Sequence, residues 1–199
     1  TIGENAKLGL IDNYGLGARK DTTITLNNTT YTISLELVAK NFDVLSVTDS
    51  SYNGGSNRAA LTFICREVLP IDEKMSDSDK TFEGYTGATA GGYGSTDLRE
   101  KLNSTYYNGL QDDLKNIVKE VVKISDKGYI NNPDLRSTNE LVWIPSATEL
   151  SLDGISSGEL FLQDQSSTGE GYPWFSNNET RMKKDTNGTA ANYWTRTHR

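Results

Sequence analysis

The sequence has very few of the side chains that most enzyme and metal sites require. Its 199 residues include a single histidine, the penultimate residue His198, and a single cysteine, Cys65. Hydrolases of the serine and cysteine types need an imidazole that a partner orients, and a terminal residue is poorly placed for that. One histidine and one cysteine also fall short of the ligands that zinc or iron usually takes. We therefore predict no catalytic residues, no cofactor and no metal site, although paired carboxylates, which any acidic protein offers, stay open.

Phosphate-binding loops and long apolar segments are missing as well. The chain contains neither GxxxxGK[ST] nor GxGxxG, and no apolar run long enough to span a membrane. Its 27 acidic residues exceed its 20 Lys and Arg residues, and the net charge of -7 would repel a phosphate backbone. The sequence thus predicts no nucleic-acid partner and no membrane span. The lone Cys65 lies in an apolar run and is predicted to be buried and inert.

An alternation of apolar and polar residues is the clearest sign of secondary structure. It runs from residue 22 to residue 37 and is interrupted by Asn27 and Asn28. A period of two predicts strands, and an Asn pair between two such runs predicts a tight turn, so we expect a β-hairpin here. Apolar residues cluster without alternation at 42–47 and 60–68, which predicts two further strands covered on both faces.

Two helices are predicted in the middle of the chain. Ser95 is the expected cap of a short helix that carries Leu98 and Leu102 on one face. A second helix is predicted from about 110 to 122, because apolar residues recur along it at helical spacing. These residues are Leu110, Leu114, Ile117, Val118 and Val121. We expect their stripe to pack against a sheet.

A strand and a capped turn are predicted next. The run 141–144 is apolar and ends at Pro145, which predicts a short strand. Ser146 and Glu149 have the spacing of a capping box, so a brief helix through Leu150 is expected.

Three segments are interpreted as loops or arms. Residues 1–20 carry four glycines among small apolar residues, which indicates an irregular arm rather than core. Residues 70–94 form a long acidic stretch, in which 77–83 has calcium-like spacing but lacks the glycine of an EF-hand loop, so a solvated loop is favoured. Residues 181–199 hold five Lys and Arg residues against one acid and are locally basic.

A series of short motifs occurs in a fixed order along the second half of the chain. It consists of Leu98-Arg99 with Leu102-Asn103, Ile144-Pro145-Ser146 with Glu149-Leu150, Gly169-Glu170-Gly171, Arg181-Met182-Lys183 and Tyr193-Trp194-Thr195-Arg196. Over about residues 22–199 the series resembles the signature of an uncharacterised domain family found in surface proteins of gut Firmicutes and in their prophages. Members of that family are related in fold to C-type lectin-like domains.

The resemblance implies an α+β domain of C-type lectin-like type at 22–199, with a twisted antiparallel sheet, two helices and long loops. An N-terminal arm or linker would precede it at 1–21. Family members have Ser where this chain has Thr197 and continue for several strands after the last motif, so the domain is expected to lack its last strands and to expose a sheet edge. Related formylglycine-generating enzymes bind copper with a cysteine pair, and with Cys65 alone their activity is not expected here.

The resemblance and the composition together predict a non-catalytic recognition module on a virion or a bacterial surface. Its partner would be a cell-surface protein or glycan. Aromatic and basic side chains late in the chain are the expected ligand-binding residues. They are Tyr172, Trp174, Arg181, Tyr193, Trp194 and Arg196. Trp143 and Trp194 are also candidates for the core.

Two alternative functions stay open. The first is a structural or decorating subunit of a virion or appendage, held by neighbouring subunits through its N-terminal arm and its C-terminal sheet edge. The second is an enzyme of unknown type. Within the recognition hypothesis, calcium-bridged sugar binding is not favoured, because the EPN, QPD and WND triplets of calcium-dependent lectins are absent.

Overall fold

The chain is an α+β protein in the computed structural model, which describes residues 1–75, 92–126, 135–151, 171–175, 183–185, 187 and 189–191. Its strands are β1 (Arg19–Leu26), β2 (Thr29–Lys40), β3 (Leu61–Cys65), β4 (Val121–Asp126) and β5 (Leu135–Glu140). Its helices are α1 (Ile2–Leu8), α2 (Asp97–Lys101), α3 (Tyr107–Gly109) and α4 (Asp112–Lys115). One antiparallel sheet has the order β1-β2-β3 and the other pairs β4 with β5. Within the described ranges, no helix is both long and apolar enough to cross a membrane.

The predicted hairpin is confirmed. β1 and β2 pair in antiparallel register up to Leu26, which lies opposite Thr29. Asn27 and Asn28 connect the strands with φ angles of 49° and 62°. A two-residue turn that matches the twist of the strands needs positive φ at both positions, and Asn tolerates that conformation better than most residues.

β2 is the central strand of the three-stranded sheet and pairs with β3 on its second side. The strand predicted at 60–68 is thereby confirmed over Leu61–Cys65. The strand predicted at 42–47 is reduced to isolated bridges, in which Val44 pairs with Arg58 and Leu45 pairs with Val121. These bridges bring the loop after β2 against the first residue of β4.

The first predicted helix is confirmed, but its cap is a different residue. α2 begins after Thr96, whose Oγ1 accepts a hydrogen bond from the Arg99 N–H at 3.2 Å, so Thr96 and not Ser95 is the N-cap. The helix continues through a π-helical turn, Leu102–Tyr106, into α3. Its apolar face is buried against the hairpin.

The second helix, predicted at 110–122, is wrong over most of its length. Only Asp112–Lys115 is helical, and from Val121 the chain forms strand β4. Valine and isoleucine are concentrated at this end, and such β-branched residues favour strands. Val121 also bridges to Leu45 and pairs with Glu140 of β5. Contacts across the sheet therefore outweigh the helical spacing of the apolar residues.

The strand predicted at 141–144 is also wrong, because β5 ends at Glu140. The side-chain oxygen of Asn103 accepts hydrogen bonds from the first two N–H groups of that run, at 2.7 and 3.4 Å. The capping box that follows is confirmed. Ser146 Oγ accepts from the Glu149 N–H at 3.0 Å, and Glu149 Oε2 accepts from the Ser146 N–H at 3.1 Å. It closes a single turn instead of the brief helix that was predicted.

The N-terminal segment is more regular than predicted. Residues Ile2–Leu8 form α1, which begins with a capping box between Thr1 and Glu4. No residue of α1, all of which the structure describes, is buried. Ile11 is buried, however, and packs in one core cluster with Leu45. The interpretation of residues 1–20 as an irregular arm outside the core is therefore wrong in part.

Three clusters of buried apolar side chains form the core. The first lies between the β1–β2 hairpin and the helical segment that starts with α2. The second joins Ile11 to the loop after β2 and to β4. The third packs Val38 and Ala39 of β2 against Leu150, Tyr172 and Phe175. The third cluster brings the capping box and residues 172–175, which we call the aromatic segment, onto the central strand.

Candidate functional site

A buried group of charged and hydroxyl side chains joins four segments of the chain. We call it the Lys123 cluster, and its members are Asp43, Thr62, Lys123, Glu149 and Tyr172. Lys123 Nζ forms an ion pair with Asp43 Oδ1 and lies 2.8 Å from Glu149 Oε1 and 2.8 Å from the Tyr172 hydroxyl. Thr62 Oγ1 donates to Asp43 Oδ2 at 2.5 Å, and the Tyr172 hydroxyl donates to Asp43 Oδ1 at 3.3 Å. All five residues are buried, and Lys123 is only 3% exposed.

Aromatic rings enclose the amine of Lys123. Its Nζ lies 4.4 Å from the ring centroid of Trp143 and 5.3 Å from that of Tyr172. Phe42 packs edge-on against Tyr172, with the ring centroids 5.1 Å apart. The rings attract the cation but keep water away, so electrostatic interactions inside the cluster are weakly screened. Two carboxylates face one ammonium group in the Lys123 cluster, so one negative charge is in excess. Burying an excess charge costs free energy, because the protein interior solvates it less well than water does.

Local structure positions each charged member of the cluster. Lys123 lies on the same face of β4 as Val121 and Ser125, and this face is buried because side chains alternate along a strand. Glu149 is held by the capping box, since its Oε2 is bound to the Ser146 N–H and its Oε1 reaches Lys123. The Ala59 N–H donates to the carbonyl oxygen of Asp43, which orients the loop after β2.

A second buried ionic group accounts for the first motif of the series. Arg99 Nε donates to Glu140 Oε1 at 2.5 Å, and the Asn103 side chain donates to Glu140 Oε2. Arg99 also donates to the main-chain oxygen of Asn139 at 3.0 Å. Glu140 is fully buried. Arg99 and Asn103 of the first motif therefore connect the helical segment to the end of β5.

The lysine of the fourth motif is also directed inward. Lys183 is buried, and its Nζ donates to the main-chain oxygen of Cys65 at 2.9 Å. Burial lowers the pKa of Lys183 and raises the pKa of the Cys65 thiol to about 11. Cys65 Sγ donates to the Glu67 carbonyl at 3.1 Å. Cys65 is half-buried, so it is less enclosed than the sequence predicts, and its raised pKa favours the protonated, less reactive form of the thiol.

The residues predicted to bind a ligand fall into two groups. Tyr172 is 3% exposed and its hydroxyl belongs to the Lys123 cluster, so its predicted contact with a ligand is corrected to a role inside the protein. Trp174 is half-buried beside the third core cluster, and its buried Nε1 has no hydrogen-bond partner among the described residues. The other four predicted contacts lie outside the described residues. They are Arg181, Tyr193, Trp194 and Arg196.

Comparison with known proteins gives one result. A family model, Domain of unknown function (DUF6273), matches residues 69–199. The chain belongs to the DUF6273 family. No curated protein and no solved structure matches it. The matched residues of the DUF6273 domain contain every motif of the series, whereas the resemblance was predicted to begin near residue 22.

The DUF6273 match divides the Lys123 cluster. Lys123, Glu149 and Tyr172 lie within the matched residues, and Asp43 and Thr62 lie before them. The residues before the DUF6273 match therefore contribute part of the Lys123 cluster, and the matched residues contribute the rest.

Sequence analysis missed Lys123 and Asp43. A signal was present for Lys123, since it stands between Val122 and Ile124 in an apolar stretch, where a charged residue on the buried face of a strand needs a partner. Nothing in the sequence identified Asp43 as that partner. Among the residues that the structure describes, no group of three or more His, Cys, Asp or Glu side chains is arranged to hold a metal ion.

Proposed function

We propose that the protein is a non-catalytic recognition module, displayed on a virion or a bacterial surface, that binds a cell-surface protein or glycan. The observation that carries the proposal is the inward direction of the motif side chains. Arg99, Asn103, Glu149 and Lys183 all make internal polar contacts with the scaffold. A domain whose motif residues stabilise its interior is suited to present loops for binding.

A C-type lectin-like architecture is part of this proposal. The antiparallel three-stranded sheet, the adjacent helical segment and the second small sheet are compatible with it. Two isolated bridges lie past the end of β3, because Glu67 pairs with Lys184 in parallel and Lys184 pairs with Ala190 in antiparallel orientation. The segments late in the chain would then add to this edge of the sheet and carry the ligand-binding loops.

The ligand would contact the loops that follow Tyr172. Tyr172 is anchored in the Lys123 cluster, and Trp174 donates its main-chain N–H to Val38 of β2 at 3.2 Å. These contacts would orient the start of a surface to which Arg181, Tyr193, Trp194 and Arg196 contribute aromatic and basic groups. Such side chains suit sugar rings and acidic or aromatic protein surfaces.

Binding of the purified chain to intact bacterial cells tests the proposal. Arg196→Ala and Trp194→Ala should each weaken binding at least tenfold, while both variants keep the far-ultraviolet circular dichroism of the parent. Arg66→Ala is the matched control, because Arg66 is exposed and its ion pair with Glu67, the one it forms within the described part of the chain, is long at 3.9 Å. Equal binding by all three variants would contradict the proposed surface. Steady turnover of a substrate, abolished by changing one acidic residue, would instead favour an enzyme.

A structural or decorating subunit is the second candidate, and one observation favours it. Leu8 and Leu10, at the end of α1, are 64% and 60% exposed. Neighbouring apolar side chains on a surface often mark a contact with another protein. A chain that binds no cells but assembles with other proteins of the same particle, and loses assembly in Leu8→Ser, would support this function over recognition.

A further inference from the structure

We propose that Lys123 and Asp43 become joined by a covalent amide bond inside the folded chain, with Glu149 as the group that moves the proton. Lys123 Nζ is in ion-pair contact with Asp43 Oδ1 and lies 2.8 Å from Glu149 Oε1. The inference concerns the interior of the protein. It does not depend on the recognition function.

Fixed proximity is the first requirement for such a bond. Asp43 and Lys123 are 80 residues apart in the sequence, and Glu149 is 26 residues beyond Lys123. The side chains of these three residues meet at one point in the core. They are positioned there by the loop after β2, by strand β4 and by the capping box. Holding two reacting groups in contact replaces a bimolecular encounter by a step within one molecule, which greatly increases the rate at which they react.

The second requirement is a neutral amine beside a neutral carboxylic acid, because an ammonium and a carboxylate do not condense. The rings of Trp143 and Tyr172 lie beside the amine, Phe42 packs on Tyr172, and both reacting side chains are buried, so little water reaches the pair. Glu149 contacts the same nitrogen as Asp43 and can carry a proton from it to the Asp43 carboxyl group. One proton transfer therefore creates the reactive pair.

The third requirement is activation of the carboxyl carbon. Thr62 Oγ1 donates a hydrogen bond to Asp43 Oδ2, and the Tyr172 hydroxyl donates to Oδ1. The two donors draw electron density from Cγ and stabilise the negative charge that develops on oxygen when the amine attacks. Both hydroxyl groups are already in place, so no reorganisation is needed during the reaction.

The reaction balances without another reactant. The Lys123 nitrogen attacks Asp43 Cγ, so that an N–C bond forms and a C–O bond of the carboxyl group breaks. The departing oxygen takes up protons that Glu149 relays from Nζ and leaves as one water molecule. No atom is oxidised or reduced, and Glu149 ends in its starting form. Each chain reacts once, so the process is a modification and not turnover.

Such a bond would provide a covalent link in a chain that cannot form an internal disulfide, since Cys65 is its only cysteine. It would connect the loop after β2 to β4 and close a loop of 80 residues. Links that close long loops restrict the unfolded state most strongly. It would also replace a buried ion pair by a neutral amide and remove the cost of keeping both charges away from water.

Mass spectrometry of the purified chain under denaturing conditions tests the proposal directly. The expected mass is lower by one water molecule than the mass of the sequence. After trypsin, residues 41–58 should be joined to residues 120–127, because trypsin does not cleave after an acylated Lys123. A full sequence mass would overturn the proposal. Loss of water located elsewhere, for example as a succinimide at Asp153-Gly154, would overturn it as well.

Variants identify the roles of the three residues. Lys123→Arg keeps a positive charge and Glu149→Gln keeps the size of the side chain, and both should show the full sequence mass with no linked peptide. Lys101→Ala is the matched control, because it removes an exposed ion pair with Glu73 at 2.6 Å, and it should still lose one water. A Glu149→Gln chain that formed the same linked peptide at the parental rate would contradict the role of Glu149. If Lys123→Arg does not fold, the mass of the parental chain and the presence or absence of its linked peptide still test the proposed bond.

Discussion

The indole ring of Trp174 lies directly on the backbone of Gly17. A Cβ atom at Gly17 would be 2.3 Å from Trp174 Cη2, and the φ angle of Gly17 is +80°. The Gly17 N–H donates to the Leu37 carbonyl at 2.8 Å, and the Trp174 N–H donates to the Val38 carbonyl at 3.2 Å. Consecutive residues of the central strand thus hold the N-terminal segment and the aromatic segment face to face.

Gly17→Ala should destabilise the protein by roughly 2 to 4 kcal/mol, because it combines a left-handed backbone with an overlap against the indole ring. Gly15→Ala is the matched control, since a Cβ there meets no atom of the described residues within 4 Å, and it should change stability by less than about 0.5 kcal/mol. Urea unfolding followed by circular dichroism measures both values. Equal stability of the two variants would show that the contact between Gly17 and Trp174 is not formed.

Arg99→Ala should destabilise the protein by about 3 kcal/mol or more, because it leaves the carboxylate of Glu140 buried without its cation. Glu140→Gln in the same chain should restore part of the loss, since it removes the unpaired charge. Lys115→Ala removes the partly buried partner of the exposed Asp112 carboxylate and should change stability far less than Arg99→Ala does. The free energies of unfolding of the parent, Arg99→Ala, Glu140→Gln and the double variant give the coupling energy between the two residues. An additive double variant would argue against a direct ion pair.

The stability of the protein should fall in alkaline solution because of Cys65. Burial raises the pKa of its thiol from 9.0 to about 11, so the unfolded chain releases this proton at a lower pH than the folded chain. The contribution of the thiol is complete below pH 9.0 and is lost as the pH rises to about 11. Lys183 acts in the opposite direction, since burial lowers its pKa and its neutral form suits the folded state. The free energy of unfolding, measured across this pH range, shows how steeply stability falls with pH.

Cys65→Ala isolates the two contributions. Without the thiol, the alkaline decline should be smaller, and the rise that comes from Lys183 should become visible. Thiol alkylation offers an independent check, because a thiol pKa of about 11 in place of 9.0 implies roughly 100-fold less thiolate in the folded chain than in the unfolded chain at the same neutral pH. A parental chain that is alkylated as fast as the denatured chain would contradict the raised pKa of the half-buried thiol.

Short-range patterns in the sequence predicted the structure well where the decisive contacts are local. The turn at Asn27 and Asn28 depends on backbone preferences of two adjacent residues, and the capping box at Ser146 and Glu149 depends on groups three residues apart. Both were predicted correctly. The cap of α2 was displaced by one residue, from Ser95 to Thr96, because two adjacent hydroxyl residues offer the same chemistry.

The candidate site could not be predicted to the same extent. The stretch 110–122 has the spacing of a helix, but pairing with Glu140 and contact with Leu45 turn its end into a strand. Once Val121 is in a strand, alternation places Lys123 on the buried face. Side-chain chemistry alone predicts both Tyr172 and Trp174 as ligand-binding residues, and only packing against β2 distinguishes the buried Tyr172 from the half-buried Trp174.

The sequence by itself determined the elements that depend on neighbours along the chain, namely the hairpin, the helix capped near residue 96 and the capping box. It also determined the shortage of histidine and cysteine that argues against the commonest enzyme sites. Only the tertiary structure decided that Lys123 meets Asp43 and Glu149, because these contacts join segments 80 and 26 residues apart. A buried charge needs a partner that is close in space, and the sequence does not indicate which distant residue provides it.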